Sequence, residues 1–219
     1  MWHHGRIVCP EGRPVTPKVG STPIRSLELA GRRVRLATLV ESDYPAWFDV
    51  RVRCRDWLVP WEPRSKGAPL PAEDRASFAA RCAMRERERQ LGSGFGFGIF
   101  DEGRLAGEVT LSSIQRGPFQ NGSIGYWIDQ DVAGQGLTPE AVVVVLRFAF
   151  ATLRLHRIEV AIIPRNGSSR RVVEKLNLRT EGVALGFLEI NGEWEDHVRY
   201  AMTSEEWAVR GTELASTWL

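Results

Sequence analysis

In Asp131-Val132-Ala133-Gly134-Gln135-Gly136-Leu137-Thr138-Pro139-Glu140, two glycines stand one residue apart between an apolar strand-like run, residues 123–129, and a helix-like run, residues 138–153. A strand, a glycine loop and a helix start aim free backbone N–H groups at one point, and the helix dipole adds partial positive charge there. The chemistry that suits such a loop is the holding of an anion, above all a diphosphate. Gly134 and Gly136 have no side chain to keep a ligand off the backbone. Thr138 is expected to cap the helix, with Pro139 in its first position. A tight strand-to-helix turn without a ligand would use the same residues, so the loop alone leaves both uses open.

Other residues are chemically suggestive, each with a plainer use beside it. Glu108 interrupts the apolar strand of residues 105–111. It is either a carboxylate whose pKa is raised by burial, or a solvent-facing place in an alternating strand. Trp57 and Trp61 lie in a segment with Pro60 and Pro63 that is not expected to form a regular helix. They either roof the core or, with Glu62, wall a substrate groove. Asn166 and Ser169 can each cap a short helix over residues 168–176, and Arg170 and Arg171 either meet phosphates or face solvent. Asp196 and His197 follow an Asn191-Gly192 turn; His197 is either a hydrogen-bonded core histidine or part of a substrate end. Cys9, Cys54 and Cys82 have no metal-ligand spacing, so no metal site is expected and the thiols should be reduced.

These residues need a scaffold, and 219 residues suffice for one full core. A net charge of +2 is too small for a nucleic-acid binder, so no direct nucleic-acid contact is expected. No apolar run is long enough to span a bilayer and no signal-like stretch opens the chain, which points to a cytoplasmic protein without a membrane partner. Residues 1–26, rich in Pro, Gly and Arg, form an irregular extension. A strand pair or one bent strand around Gly31 follows, then a helix to about Arg55, the aromatic loop, and a charged helix over residues 72–90 that turns Phe78, Cys82 and Met84 inward. A hairpin over residues 94–114, the strand of residues 123–129, the loop and its helix come next. A strand over residues 156–163, a short helix and a final hairpin turning at Asn191-Gly192 complete the order. One α/β domain over residues 27–207 is the economical organisation, with residues 208–219 as a tail.

This order, with the glycine loop at its centre, resembles the GNAT superfamily of N-acetyltransferases. That family's motif is Arg or Gln, two residues, Gly, one residue, then Gly or Ala; Asp131 departs from it at the first position. Asn166-Gly167-Ser168-Ser169 resembles the family's Asn-x-x-Ser segment, and Lys175-Leu176-Asn177-Leu178 its Lys-x-Gly-Phe turn, with Asn177-Leu178 in place of Gly-Phe. Trp57-Leu58-Val59-Pro60-Trp61-Glu62-Pro63, Leu155-His156-Arg157-Ile158 and the hairpin through Trp194 and His197 look like the RimJ/RimL-type ribosomal-protein N-terminal alanine acetyltransferases.

The resemblance implies a mixed twisted central sheet flanked by helices, with an acetyl-CoA cleft where the central strands splay. Tyr126, Trp127, Ile128 and Asp129 would pair with the pantetheine arm of acetyl-CoA, and a free N–H there would polarise the thioester carbonyl. Ala133, Gly134, Gln135, Gly136, Leu137 and Thr138 would hold the diphosphate; Asn166 would orient the pantetheine, with Arg170 and Arg171 near phosphates. Ser169 falls where the family places a hydroxyl that protonates the departing thiolate. The family's usual base positions fall on Ser123 and near Leu188 and Glu189, which leaves Glu108 and Asp196 as candidates for catalytic carboxylates. Trp57, Trp61, Glu62, Trp194 and His197 would face the acceptor. That acceptor would be the N-terminal α-amine, at alanine or serine, of a protein, ribosomal by resemblance. The enzyme would act as monomer or homodimer. Alternatives are a small amine as acceptor, or a CoA-binding regulatory module without turnover.

Overall fold

A computed structural model describes residues 27–69 and 72–219, so the expected extension over residues 1–26, with Cys9, lies outside the described residues. Eight strands form one sheet in the order β1-β2-β3-β4-β5-β6-β8-β7. They are β1 (Glu28–Ala30), β2 (Val34–Ala37), β3 (Phe95–Asp101), β4 (Arg104–Gln115), β5 (Asn121–Ile128), β6 (Arg157–Ile162), β7 (Arg179–Ile190) and β8 (Glu193–Thr203). Every neighbouring pair is antiparallel except β5 and β6. A parallel pair needs a crossover, and the helix after β5 supplies it.

That helix, α4 (Leu137–Arg147), is buried along its length from Leu137 to Leu146. A helix apolar on all sides must be covered on all sides. Strands β2–β5 lie under it, and α5 (Gly167–Lys175) and α6 (Ser204–Trp218) flank it. It passes into a π-helical turn, Phe148–Thr152, where Phe148 meets Phe95 edge-on and Phe150 stacks on Trp207. On the opposite face α1 (Tyr44–Arg53) and α3 (Arg75–Leu91) close a smaller core of Ala37, Trp47, Phe78, Phe100 and Leu105.

Several expectations need correction. Gly136, left-handed at φ 91°, takes the cap position of α4, so Leu137 opens the helix and Thr138 and Pro139 sit two places further in than expected. The aromatic segment is not a loop throughout: α2 (Arg55–Leu58) is a single α-turn followed by a 3-10 turn, Val59–Trp61. Pro60 is tolerated there because it lies in the first turn, where its missing N–H has no use. Met84 faces outward, half exposed. Residues 208–219 are not a tail. All but Leu219 belong to α6, which starts with a capping box between Thr203 and Glu206 and seats Leu214, Trp207 and Trp218 on the core. Asn191 and Gly192 turn the last hairpin at φ 48° and 90°, the positive values a type I′ turn requires. No helix among the described residues is long and apolar enough to cross a membrane.

Candidate functional site

Strands β5 and β6 pair only through Asn121, Gly122 and Ser123 with Arg157, Ile158 and Glu159, then diverge. The Asp129 N–H bonds to the Ala106 carbonyl of the β4 side at 2.7 Å. Because the backbone of a strand alternates direction, Tyr126 and Ile128 must turn their N–H and C=O groups away from β4 into the gap. The Ile128 carbonyl confirms this phase by accepting the Trp57 indole N–H at 3.2 Å. The gap is a cleft of about 410 Å³, lined by Trp57, Trp61, Glu62 and Pro63 at one end, by Tyr126, Trp127 and Ile128 along one wall, and by the start of α4 and one face of α5.

The glycine loop forms the anion end. The N–H groups of residues 134–138 find no backbone acceptor among the described residues, and only at Glu140 does the helix ladder begin, with a bond to the Gly136 carbonyl. Gly134 and Gly136 are left-handed, at φ 81° and 91°, so the loop itself requires glycine at both places. A Cβ on Gly134 would meet nothing within 4 Å, which leaves its amide open to a ligand. Open donors on Gly134, Gly136, Leu137 and Thr138, a helix dipole and the cations Arg171 and Lys175 on the facing helix suit a polyphosphate. Asp131, the departure from the family motif, is an exposed ion-pair partner of Arg53 from α1 and lines no part of the cleft.

Helix α5 carries the other polar groups. Asn166 caps it by accepting the Ser169 N–H at 3.1 Å, and both residues line the cleft. The Ser169 hydroxyl has no partner among the described residues, while its carbonyl accepts the Tyr126 phenol at 2.9 Å. Burial, with Tyr200 nearby, pushes the Tyr126 phenol well up, so it stays a donor and ties β5 to α5 across the splay. Asn177 ends the helix left-handed at φ 48°, with the Leu178 N–H bonded back to Val173. Asparagine therefore does at this turn what glycine does in the family pattern.

Trp57, Trp61, Glu62, Tyr126, Trp127, Ile128, Ala133, Gly134, Gly136, Leu137, Thr138, Asn166, Ser169 and Arg171 all reach the cleft, as the sequence suggested. The others do not. The Asp129 backbone N–H is committed to Ala106 and its carboxylate to Arg53 and the Cys54 thiol, so it offers nothing to a pantetheine. Gln135 turns away, its carbonyl held by Arg33 at 3.1 Å. Arg170 spends its guanidinium on the Tyr200 hydroxyl and Glu174.

Glu108 is buried on the α1–α3 face, where it accepts the Trp47 indole N–H at 2.8 Å and pairs with Arg81, outside the cleft. Asp196 accepts the Gly186 N–H at 2.8 Å and shapes a bulge in β7. His197 is buried against Phe187 with its Nδ1 on the Glu195 carbonyl, the core-histidine arrangement. Trp194 is exposed on the hairpin. Sequence reasoning passed over Lys175 as a cleft residue, although its spacing of four from Arg171 places both on one face of α5.

The acetyltransferase (GNAT) domain model matches residues 33–179. The ribosomal protein uS5-alanine N-acetyltransferase of Escherichia coli is 34% identical over 178 residues, covering 79% of this chain and 90% of that protein. Mycobacterium smegmatis RimJ, solved with a CoA-disulfide, superposes with a TM-score of 0.81 at 28% identity, over 87% of this chain and 93% of the other. The ribosomal-protein-S5-alanine acetyltransferase of Vibrio fischeri does so at 0.74 and 30% identity, over 83% and 99%. The chain therefore belongs to the GNAT family of N-acetyltransferases, among its RimJ-type members.

Proposed function

We propose that the protein transfers the acetyl group of acetyl-CoA to the N-terminal α-amine, at alanine or serine, of a cytoplasmic ribosomal protein. The observation that carries the proposal is the cleft itself, with open amides and cations at one end and an aromatic wall with a carboxylate at the other. Such polarity fits an anionic donor and a cationic acceptor entering from opposite ends. The similarity to uS5-alanine N-acetyltransferase supports the choice of acceptor.

When bound, acetyl-CoA supplies an activated acyl group, and the chain supplies position and electrostatics. Residues 134–138 hold phosphate oxygens with backbone N–H groups, and Arg171 and Lys175 add charge. Tyr126 and Ile128 offer backbone pairing to an extended amide-bearing arm, and an N–H of this pair stabilises negative charge developing on a carbonyl oxygen. Ser169 gives a proton to the departing sulfur. Trp57 and Trp61 hold the acceptor chain. An α-amine, with a pKa of about 7.7 to 8.0 against about 10.4 for lysine, presents an appreciable neutral fraction near neutral pH.

The test is acetyl transfer followed by mass spectrometry on peptides with free N-terminal alanine or serine, beside N-blocked lysine peptides and polyamines. Preferential modification of the α-amines is expected. Dominant lysine or polyamine acetylation overturns the acceptor assignment, and CoA binding without transfer to any amine overturns the enzymatic one.

A further inference from the structure

Catalysis of amide formation needs a place for the amine's protons, and the carboxylates suggested by sequence are spent elsewhere. Glu108 is held by Trp47 and Arg81, Asp196 by the Gly186 N–H, and Glu189 by the Lys66 N–H. Among the described residues lining the cleft, Glu62 is the one carboxylate.

Its position is built rather than incidental. The Glu62 N–H closes the 3-10 turn onto Val59, and the Glu62 carbonyl accepts the Asn191 N–H from the β7–β8 hairpin at 3.0 Å. Pro63 then bridges to Ile190. The side chain is anchored through Oε1 by the buried guanidinium of Arg51, which Glu73 holds from behind at 3.0 Å. Oε2 has no partner among the described residues. Three indoles, Trp57, Trp61 and Trp127, line the same cleft, and aromatic faces favour a cation. Their segment also delivers the Trp57 N–H to the Ile128 carbonyl, so acceptor wall and donor strand are fixed to each other.

We propose that Glu62 is the counter-ion and proton acceptor of the incoming amine. Resting on the acetyltransferase function, the step balances as follows. The ammonium gives one proton to Glu62 Oε2, which passes it to water. The freed nitrogen pair then forms the C–N bond while the C–S bond breaks. The attacking nitrogen loses its second proton by the same route, and the departing sulfur takes one proton from Ser169, which regains it from water. The products are the acetamide, CoA thiol and one proton.

The charged groups facing Glu62 are Arg51 from α1, with Glu73 and Arg55 behind it, and Arg165, which lies 4.9 Å over the Trp61 ring and pairs with Glu195 of β8.

The experiment compares wild type, Glu62→Gln and Glu62→Asp on whichever amine the wild type acetylates best, with CoA affinity measured by calorimetry. Near neutral pH, Glu62→Gln is expected to lose about 10²-fold in kcat/KM for the amine, the low end for a positioned base. KM for acetyl-CoA and CoA affinity should be unchanged. For an α-amine acceptor the deficit should shrink towards about pH 9, where that amine is mostly neutral without help. Glu62→Asp, which keeps the charge but withdraws it, should hold KM for the amine near wild type and lose kcat, and it carries the test if the glutamine variant fails to fold. A folded Glu62→Gln enzyme with wild-type kcat/KM, or a deficit independent of pH, overturns the role of Glu62 while leaving the acetyltransferase function intact. Absence of transfer by the wild type overturns both.

Discussion

Glu140 links the strand edge to the cofactor loop, and its removal makes a quantitative prediction. The side chain is buried in the first turn of α4, and its Oε1 accepts the backbone N–H of Arg33 at 2.6 Å and of Val34 at 2.9 Å. Hydrogen bonds to a charged acceptor are worth about 1.5–3 kcal/mol each. The Arg33 amide is only partly buried and can recover water, so it counts at the low end. Glu140→Ala should therefore cost about 2–4 kcal/mol. In a chain of this length each kcal/mol lowers Tm by about 2–4 °C, giving a drop of about 5–15 °C in calorimetry. Glu140→Gln keeps an acceptor oxygen and should lose less than half as much. Gly31 adds an internal check: a Cβ there would run into Glu140 Oε1, so Gly31→Ala should destabilise by itself and be partly relieved in the Glu140→Ala background. A Glu140→Ala protein within about 0.5 kcal/mol of wild type in urea unfolding, or strict additivity with Gly31→Ala, would refute the reasoning.

Ser169→Ala should lower kcat about 10²-fold with little change in CoA affinity, because a proton donor to the departing sulfur acts only as the C–S bond breaks; a defect cured by more acetyl-CoA would return Ser169 to a helix-start residue. Arg171→Ala should weaken CoA binding about five- to tenfold in calorimetry at low salt, and less at high salt, whereas Arg170→Ala, whose partners are Tyr200 and Glu174, should leave affinity near wild type. Burial pushes the Cys82 thiol up to about 11, so iodoacetamide at pH 8 should label it far more slowly than a free thiol, with fast labelling only after unfolding. Because the folded state holds that proton more tightly than the unfolded one, the contribution of Cys82 to stability is full below about pH 9 and is lost as pH rises towards 11.

Local signals made much of the molecule readable. Alternation gave β3 and β4, Asn191-Gly192 the last hairpin, and the paired glycines the loop before α4. At the start of α4, Thr138 and Pro139 look like a cap and first position, whereas left-handed Gly136 ends the loop two residues sooner. Mild amphipathicity hides α6 in the sequence, although Thr203 and Glu206 carry a legible capping box. Glu108 could not be judged from its strand, since Arg81 and Trp47, which occupy it, lie 27 and 61 residues away. Arg170 and Arg171 are neighbours in sequence with opposite fates, a difference set by the phase of α5 against Tyr200. Glu62 lay in a recognised segment, but its standing among the carboxylates follows only once the others are seen to be engaged.

The brevity of the β5–β6 ladder reaches beyond the reaction. Past Ser123 and Glu159 no backbone bond joins the five strands before the crossover to the three after it. A donor molecule lying in the gap, with its amides paired to Tyr126 and Ile128 as proposed, would complete the sheet as an additional strand. Occupancy then becomes a term in folding, worth about 2.7 kcal/mol when free donor exceeds its Kd a hundredfold. A cell rich in acetyl-CoA would hold this protein shut against proteases, and one starved of it would shorten the protein's lifetime, so abundance would follow the metabolic state that sets its rate.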